Sequence, residues 1–198
     1  MIRTFVAVEL EAPLRQALAQ VQATLRSRLE QAAGSDVRIQ WVKPESIHQT
    51  LKFIGDIPED RVPDVRAALA RVAGGHGRFT VDVEGLGVFP DARAPRVLWV
   101  GLTVHVDALK RLAADIEAAL GAIGFAPESK PYNPHLTLAR IKERSRDVGR
   151  ALSDENMLAQ DTKLGALTVA AVSLMKSDLQ RSGSVYTRLC AVPLHQPA

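Results

Sequence analysis

His-x-Thr-Leu occurs twice in this chain, as His48-Gln49-Thr50-Leu51 and as His135-Leu136-Thr137-Leu138, once in each half of its 198 residues. Histidine is scarce here, with five in all. One such word by chance carries a risk on the order of a few per cent, so a single copy would say little. Two copies, each opening a run of strand-forming residues, constrain the fold. The chain needs two similar lobes, each presenting one short strand of the same make-up.

The spacing gives those strands two unlike faces. Residues two apart in a strand share a face, about 6.6 Å apart along it. His48 then shares a face with Thr50, and His135 with Thr137. The opposite faces carry apolar anchors, Leu51 with Phe53 in the first strand and Leu136 with Leu138 in the second. If the two strands lie side by side across a pseudo-two-fold axis, two imidazoles and two hydroxyls converge on one small volume. Two hydroxyl donors and two imidazoles suit a phosphate group. One imidazole can be neutral and accept a proton while the other is charged and donates one. Such a pair activates water on one side of phosphorus and protonates the leaving oxygen on the other. A lone histidine or threonine in a strand is ordinarily a surface or packing residue; the repeat is what favours a site.

The rest of the chain reads as strands alternating with helices. A strand is expected over residues 3–10. A helix follows from Pro13, with Leu14, Leu18, Val21, Leu25 and Leu29 inward, and breaks at Gly34-Ser35-Asp36. Strands at 37–42 and 47–55 flank a turn at Lys43-Pro44-Glu45-Ser46. A second helix spans about 60–72, and strands follow at 79–88 and 96–104. A third helix starts near Asp107 with Leu109, Leu112, Ile116, Leu120 and Ile123 inward. A strand at 135–141 is followed by a short helix between 145 and 158. Two tail strands, 167–175 and 185–192, are joined by a turn at Ser182-Gly183-Ser184. The class is therefore α+β. No linker composition divides it, so residues 1–198 are read as one bilobal domain.

Several function classes are disfavoured. Aromatics make up only 5% of the chain, too few for a broad base-stacking platform. A formal net charge of +3 is compatible with a polyanionic substrate without identifying one. Cys190 is the single cysteine, so neither an internal disulfide nor a cysteine zinc site is expected. No His-Glu-x-x-His word and no carboxylate at ligand spacing accompanies either motif, so no metal and no cofactor are expected. Phosphate-cradling glycine words are absent. No stretch reads as a signal peptide or a membrane span, so the cytoplasm is the expected location.

These words resemble the 2H phosphoesterase superfamily, named for two such His-x-Thr/Ser motifs. They are most similar to its RNA 2′,3′-cyclic phosphodiesterase branch, formerly called 2′-5′ RNA ligases. The branch resemblance rests on Arg3-Thr4-Phe5-Val6-Ala7-Val8, on Trp41-Val42-Lys43-Pro44-Glu45, and on His48 through Gly55. It continues with Gly85, Phe89-Pro90, Arg96 through Trp99, Pro134 through Arg140, and Val185-Tyr186-Thr187. It implies two antiparallel sheets facing a central cleft, with helices outside. It also implies hydrolysis of RNA-terminal 2′,3′-cyclic phosphates to 2′-phosphates, with RNA ends, tRNA fragments among them, as partners of a monomer. By the same analogy His48 is the general acid towards O3′ and His135 the base that activates water. Thr50 and Thr137 hold the non-bridging oxygens.

Arg140 stands where the branch has an arginine lining the cleft, and a guanidinium suits phosphate. Lys52 falls on the His48 face by strand alternation and is expected to add positive charge. Ala139 takes the equivalent place in the second half, which predicts a cleft of uneven charge. Phe5 and Arg93 are weaker candidates for nucleotide contact. Two other functions fit the same words: a 2′-5′ RNA ligase, in which a 5′-hydroxyl replaces water, and a nucleotide- or RNA-binding module without turnover.

Overall fold

The computed structural model describes residues 1–34, 36–159, 162–180 and 183–196. Ser35 of the expected helix break and Ser182 of the expected tail turn lie outside the described residues. The strands are β1 (Ile2–Glu9), β2 (Arg38–Trp41), β3 (His48–Ile57), β4 (Phe79–Phe89), β5 (Val97–Leu102), β6 (His135–Glu143), β7 (Lys163–Val169), β8 (Ala171–Gln180) and β9 (Gly183–Pro193). The helices are α1 (Ala12–Ala33), α2 (Val62–Gly74), α3 (Val106–Gly121) and α4 (Ser145–Asp154).

The pairing of the strands is antiparallel, in the order β7-β4-β5-β6-β3-β1-β8-β9, with β2 added on β6. The first motif opens β3 and the second opens β6, so the motif strands are neighbours at the centre of the order. Each has its own lobe behind it: β1, β8 and β9 beside β3, and β5, β4 and β7 beside β6. Among the described residues β3 and β6 join the two halves of the sheet at a single rung, Gln49 opposite Leu136. The expected pair of antiparallel sheets is thus one curled sheet, joined at its middle by one rung.

Sequence explains the helices simply. α1 has a proline in its first turn and buries Leu14, Leu18, Leu25 and Leu29. α3 buries Leu109, Leu112, Ile116 and Leu120. Each such leucine or isoleucine contributes roughly 1.5–3 kcal/mol on burial. α1 packs on α4, and α2 on α3. Val21 was expected in the inner stripe of α1; it is half-buried, and the neighbouring Gln22 is buried instead. The Gln22 side chain donates to the carbonyls of Val42 (2.7 Å) and Leu138 (2.9 Å), tying α1 to the second motif strand.

The tail needs correction. The expected strand over 167–175 is two strands, β7 and β8, separated by Ala170 alone. β7 pairs with β4 in one lobe and β8 with β1 in the other. The chain crosses between lobes without a glycine, proline or polar turn to announce it, so its composition reads as one strand.

Candidate active site

The two central strands present their motif residues to the same side. Residues directly opposite in a sheet point to one face. Gln49 and Leu136 are both buried and opposite each other, so His48, Thr50, His135 and Thr137 take the other face. The rung joins the residue after one motif histidine to the residue after the other. The pseudo-two-fold axis therefore passes between Gln49 and Leu136, with the four polar side chains around it.

Each imidazole is held in the same way. His48 Nδ1 lies 2.8 Å from the Ser46 carbonyl and His135 Nδ1 lies 2.7 Å from the Asn133 carbonyl, each two residues upstream. A carbonyl oxygen only accepts, so Nδ1 carries the hydrogen in both rings. Nε2 is left as a lone pair in the neutral ring and as a donor in the charged one. Either histidine is thereby oriented for proton transfer through Nε2. The hydroxyls of Thr50 and Thr137, both half-buried, have no partner among the described residues.

Aromatic rings wall both histidines. His48 stacks obliquely near Phe5, with ring centres 4.7 Å apart, and meets the edge of Tyr186 at 5.0 Å. His135 meets Phe89 edge-on at 5.0 Å and Trp99 at 6.3 Å. Gly87 makes the second wall possible, since a Cβ there would overlap the Trp99 ring.

Burial lowers the pKa of both histidines below the ordinary 6.5. The carbonyl bond at Nδ1 opposes this in each ring, and the Arg140 cation lowers both further. His48 also feels the Glu9 carboxylate, which raises it, and His135, which lowers it. Glu9 is the register partner of His48, and Gly101 that of His135. One imidazole thus has a carboxylate at its side and the other a glycine. Glu9 accepts from Ser173 Oγ at 2.7 Å and from Arg188 at 3.1 Å.

Strand alternation misplaced Lys52. Val6 pairs with Lys52 but Ala7 pairs with Thr50, so Leu51 is an extra residue in β3. In β6, Leu98 pairs with Ala139 but Trp99 pairs with Thr137, so Leu138 is extra. A bulge switches the faces of every later residue. Lys52 and Ala139 turn inward and are buried, while Phe53 and Arg140 turn out. Lys52 Nζ donates to both oxygens of Glu117 at 2.7 Å and to the Ala126 carbonyl at 3.0 Å. It holds the segment before the second motif rather than adding charge to the cleft. Gln49 grips the same segment through Tyr132, 2.9 Å away. The uneven charge expected from Lys52 and Ala139 falls instead on the next position of each strand, where Arg140 is exposed in the second half and the uncharged Phe53, 55% exposed, in the first. Arg93 is exposed in the loop after β4, on the rim of a separate hollow with Arg146 and Arg150.

Reading by residue missed Glu9, Arg15, Gln22, Gln49 and Phe53. Glu9 had a usable signal: Phe5, Ala7 and Glu9 alternate along β1. Beside His48 a cavity of about 420 Å³ opens between β1, β9 and the turn before β3. Among the described residues no group of three or more His, Cys, Asp or Glu could hold a metal ion. No helix of the described residues is long and apolar enough to cross a membrane.

Known proteins resemble this chain in sequence and in fold. A protein of Methanothermobacter thermautotrophicus named RNA 2′,3′-cyclic phosphodiesterase is 34% identical over 187 residues, 94% of this chain and 95% of its own length. One of the same name from Aeropyrum pernix is 34% identical over 160 residues, 81% of this chain and 89% of its own. A crystal structure from Thermus thermophilus superposes with a TM-score of 0.77 at 28% identity, covering 100% of both chains. The E. coli LigT complex with 3′-AMP superposes at 0.72 with 24% identity over 98% of this chain and 99% of that one, a likeness of fold. One family model, described as LigT-like phosphoesterase, matches twice, over residues 8–99 and 100–186. Each match contains one His-x-Thr-Leu motif, so the repeat in the sequence, the rung between Gln49 and Leu136 and the paired matches describe one duplication, and the chain belongs to the LigT-like phosphoesterase family.

Proposed function

We propose that this chain hydrolyses RNA-terminal 2′,3′-cyclic phosphates to 2′-phosphates by acid–base catalysis between two histidines, without a metal ion. The observation that carries this reading is the pair of imidazoles held alike at Nδ1, each two residues before a threonine hydroxyl with no protein partner. His135, neutral, takes a proton from water through Nε2. Water attacks phosphorus in line with O3′, and His48, charged, returns a proton to O3′ as that bond breaks. Thr50 and Thr137 donate to the non-bridging oxygens, and Arg140 offsets the charge that builds on them. The division of roles is supported by Glu9, which favours the charged form of His48 and has no counterpart beside His135. The relatives named RNA 2′,3′-cyclic phosphodiesterase support the substrate.

The test is turnover of an oligonucleotide ending in a 2′,3′-cyclic phosphate, in EDTA. A 2′-phosphate product is expected, with losses on the order of 10²–10⁴-fold in His48→Ala and His135→Ala. A strict need for a divalent ion, or full activity in either variant, would sink the mechanism. A 2′-5′-joined product in place of the 2′-phosphate would assign the site to ligation.

A further inference from the structure

We propose that the cavity beside His48 is a subsite for the phosphodiester on the 5′ side of the terminal nucleotide, held by Arg15, Lys43 and Arg188. This rests on the two-histidine reading above and extends it by one phosphate.

The cavity, of about 420 Å³, is walled by Glu9, Arg15, Lys43, His48, Tyr186 and Arg188 among others. That size falls within the range of small-ligand pockets. Arg15 is half-buried and Lys43 exposed, and neither side chain has an acidic or hydrogen-bonding partner among the described residues. Arg188 uses Nη1 on Glu9, and a guanidinium has further N–H donors to offer. Glu9 is in turn engaged by Ser173 as well as Arg188. Glu45, the other carboxylate of the lining, is exposed. The hollow, lined by two carboxylates as well, is thus offered the unpaired cations of Arg15 and Lys43 and the remaining N–H groups of Arg188, two of the three being guanidinium groups whose planar fork matches phosphate.

The chemistry fixes which way the RNA runs. In-line attack puts water and O3′ on opposite sides of phosphorus. With His135 on the water side, O3′ and C3′ lie on the His48 side. The C4′–C5′ arm that bears the next phosphate leaves from C3′. The upstream phosphate therefore passes His48, where Arg15, Lys43 and Arg188 stand. A second basic hollow, with Arg93, Arg146 and Arg150, lies on the other lobe beside the loop after β4, and serves as the control.

The experiment compares kcat/KM for a dinucleotide ending in a 2′,3′-cyclic phosphate with that for the cyclic mononucleotide. The dinucleotide is expected to be better by about tenfold or more, the effect of one charge-assisted phosphate contact. Arg15→Gln and Lys43→Gln should each draw this ratio towards one, and Arg146→Gln and Arg150→Gln should leave it unchanged. The dinucleotide should also lose more affinity with salt, by roughly 0.7 in the log–log slope for the added contact, and Arg15→Gln should abolish that excess. A wild-type ratio near one, or a ratio that falls in the Arg146 and Arg150 variants instead, overturns the subsite. If neither substrate turns over, the two-histidine reading fails. Calorimetric binding of a 3′-phosphorylated dinucleotide against the nucleoside 3′-monophosphate then measures the same ratio in the same variants, with the same two outcomes.

Discussion

Leu51 and Leu138 occupy the same place in the two halves: each is the extra residue of a bulge three positions after a motif histidine. Both are buried. The Leu138 carbonyl accepts from the Val42 amide at 2.9 Å, next to the Trp41–Ala139 pair, and from Gln22. The bulge lets a residue five positions after the histidine, an odd offset, return to the histidine face. That residue is Phe53 in one half and Arg140 in the other. At that one position the first half is thus aromatic and the second cationic, although aromatic rings wall both histidines.

Because the bulge turns Lys52 inward, its replacement should act on stability and not on substrate affinity. Lys52→Met leaves Glu117 Oε2 and the Ala126 carbonyl without their donor, while Glu117 Oε1 keeps the Glu128 amide at 2.9 Å. Glu117 is partly exposed, with 31% of its side chain accessible, so the cost falls below that of a fully buried pair, at about 2–3 kcal/mol. Chemical denaturation and KM together check this. A raised KM at unchanged stability would mean that Lys52 reaches the substrate after all.

The motif threonines should matter through their hydroxyls alone. Valine keeps the shape and the strand preference of threonine and removes the donor. Thr50→Val and Thr137→Val should each lower kcat by about 10²-fold, the usual loss for one donor to a developing oxyanion, with little change in the unfolding midpoint. If KM rises while kcat holds, the hydroxyl binds ground and transition states alike.

How much of this was legible in the residues turns on the bulges. His48, Thr50, His135 and Thr137 lie before them, where strict alternation holds, and strand periodicity alone placed all four on one face. Lys52 lies after one, and periodicity sent it to the wrong face; the same error hid Phe53. Arg140 was reached only through its resemblance to a cleft arginine of the branch, since its odd offset argues against it in a regular strand. Nothing in Leu51 or Leu138 as residue types marks a bulge, which depends on pairing with β1 and β5. The break at Ala170 was hidden for a like reason. The sequence through it is uniformly strand-forming, and only the choice of partner changes. Gln22, polar within an apolar stripe, is buried because the Val42 and Leu138 carbonyls need a donor, a demand that arises only once β2 and β6 are paired.

The wall around His135 should be sensitive to a single methyl group. Gly87 pairs with Trp99, and a Cβ on Gly87 would enter the indole ring. Gly87→Ala should displace Trp99 at a cost of roughly 1–3 kcal/mol for overpacking, shift tryptophan emission, and lower kcat through the lost wall beside His135. Unchanged emission and stability would show that the ring has room.

The pH dependence follows from the directions of the two histidine shifts. Turnover needs His135 neutral and His48 charged, so kcat/KM peaks midway between their pKa values. Burial and Arg140 hold both below 6.5. The optimum for the free enzyme should therefore fall on the acid side of pH 6.5. The two limbs of the profile report the two histidine pKa values, one for His48 and one for His135. The charges that act on His48 are Glu9 from β1 and Arg140 and His135 from β6; Arg15, Lys43, Glu45 and Arg188 line the cavity beside it. Of these, Glu9 raises the His48 value. Glu9→Gln should accordingly move one limb, that of His48, to lower pH and leave the other in place, while a structural role alone would lower the whole profile without shifting either limb. The same depressed values make the native state lose stability as pH falls through 6.5, because the unfolded histidines then bind protons that the folded ones refuse. His48→Gln should flatten part of that decline in a denaturation series between pH 7 and 5. A kcat/KM profile that is flat over the same interval would contradict two histidines working in opposite protonation states.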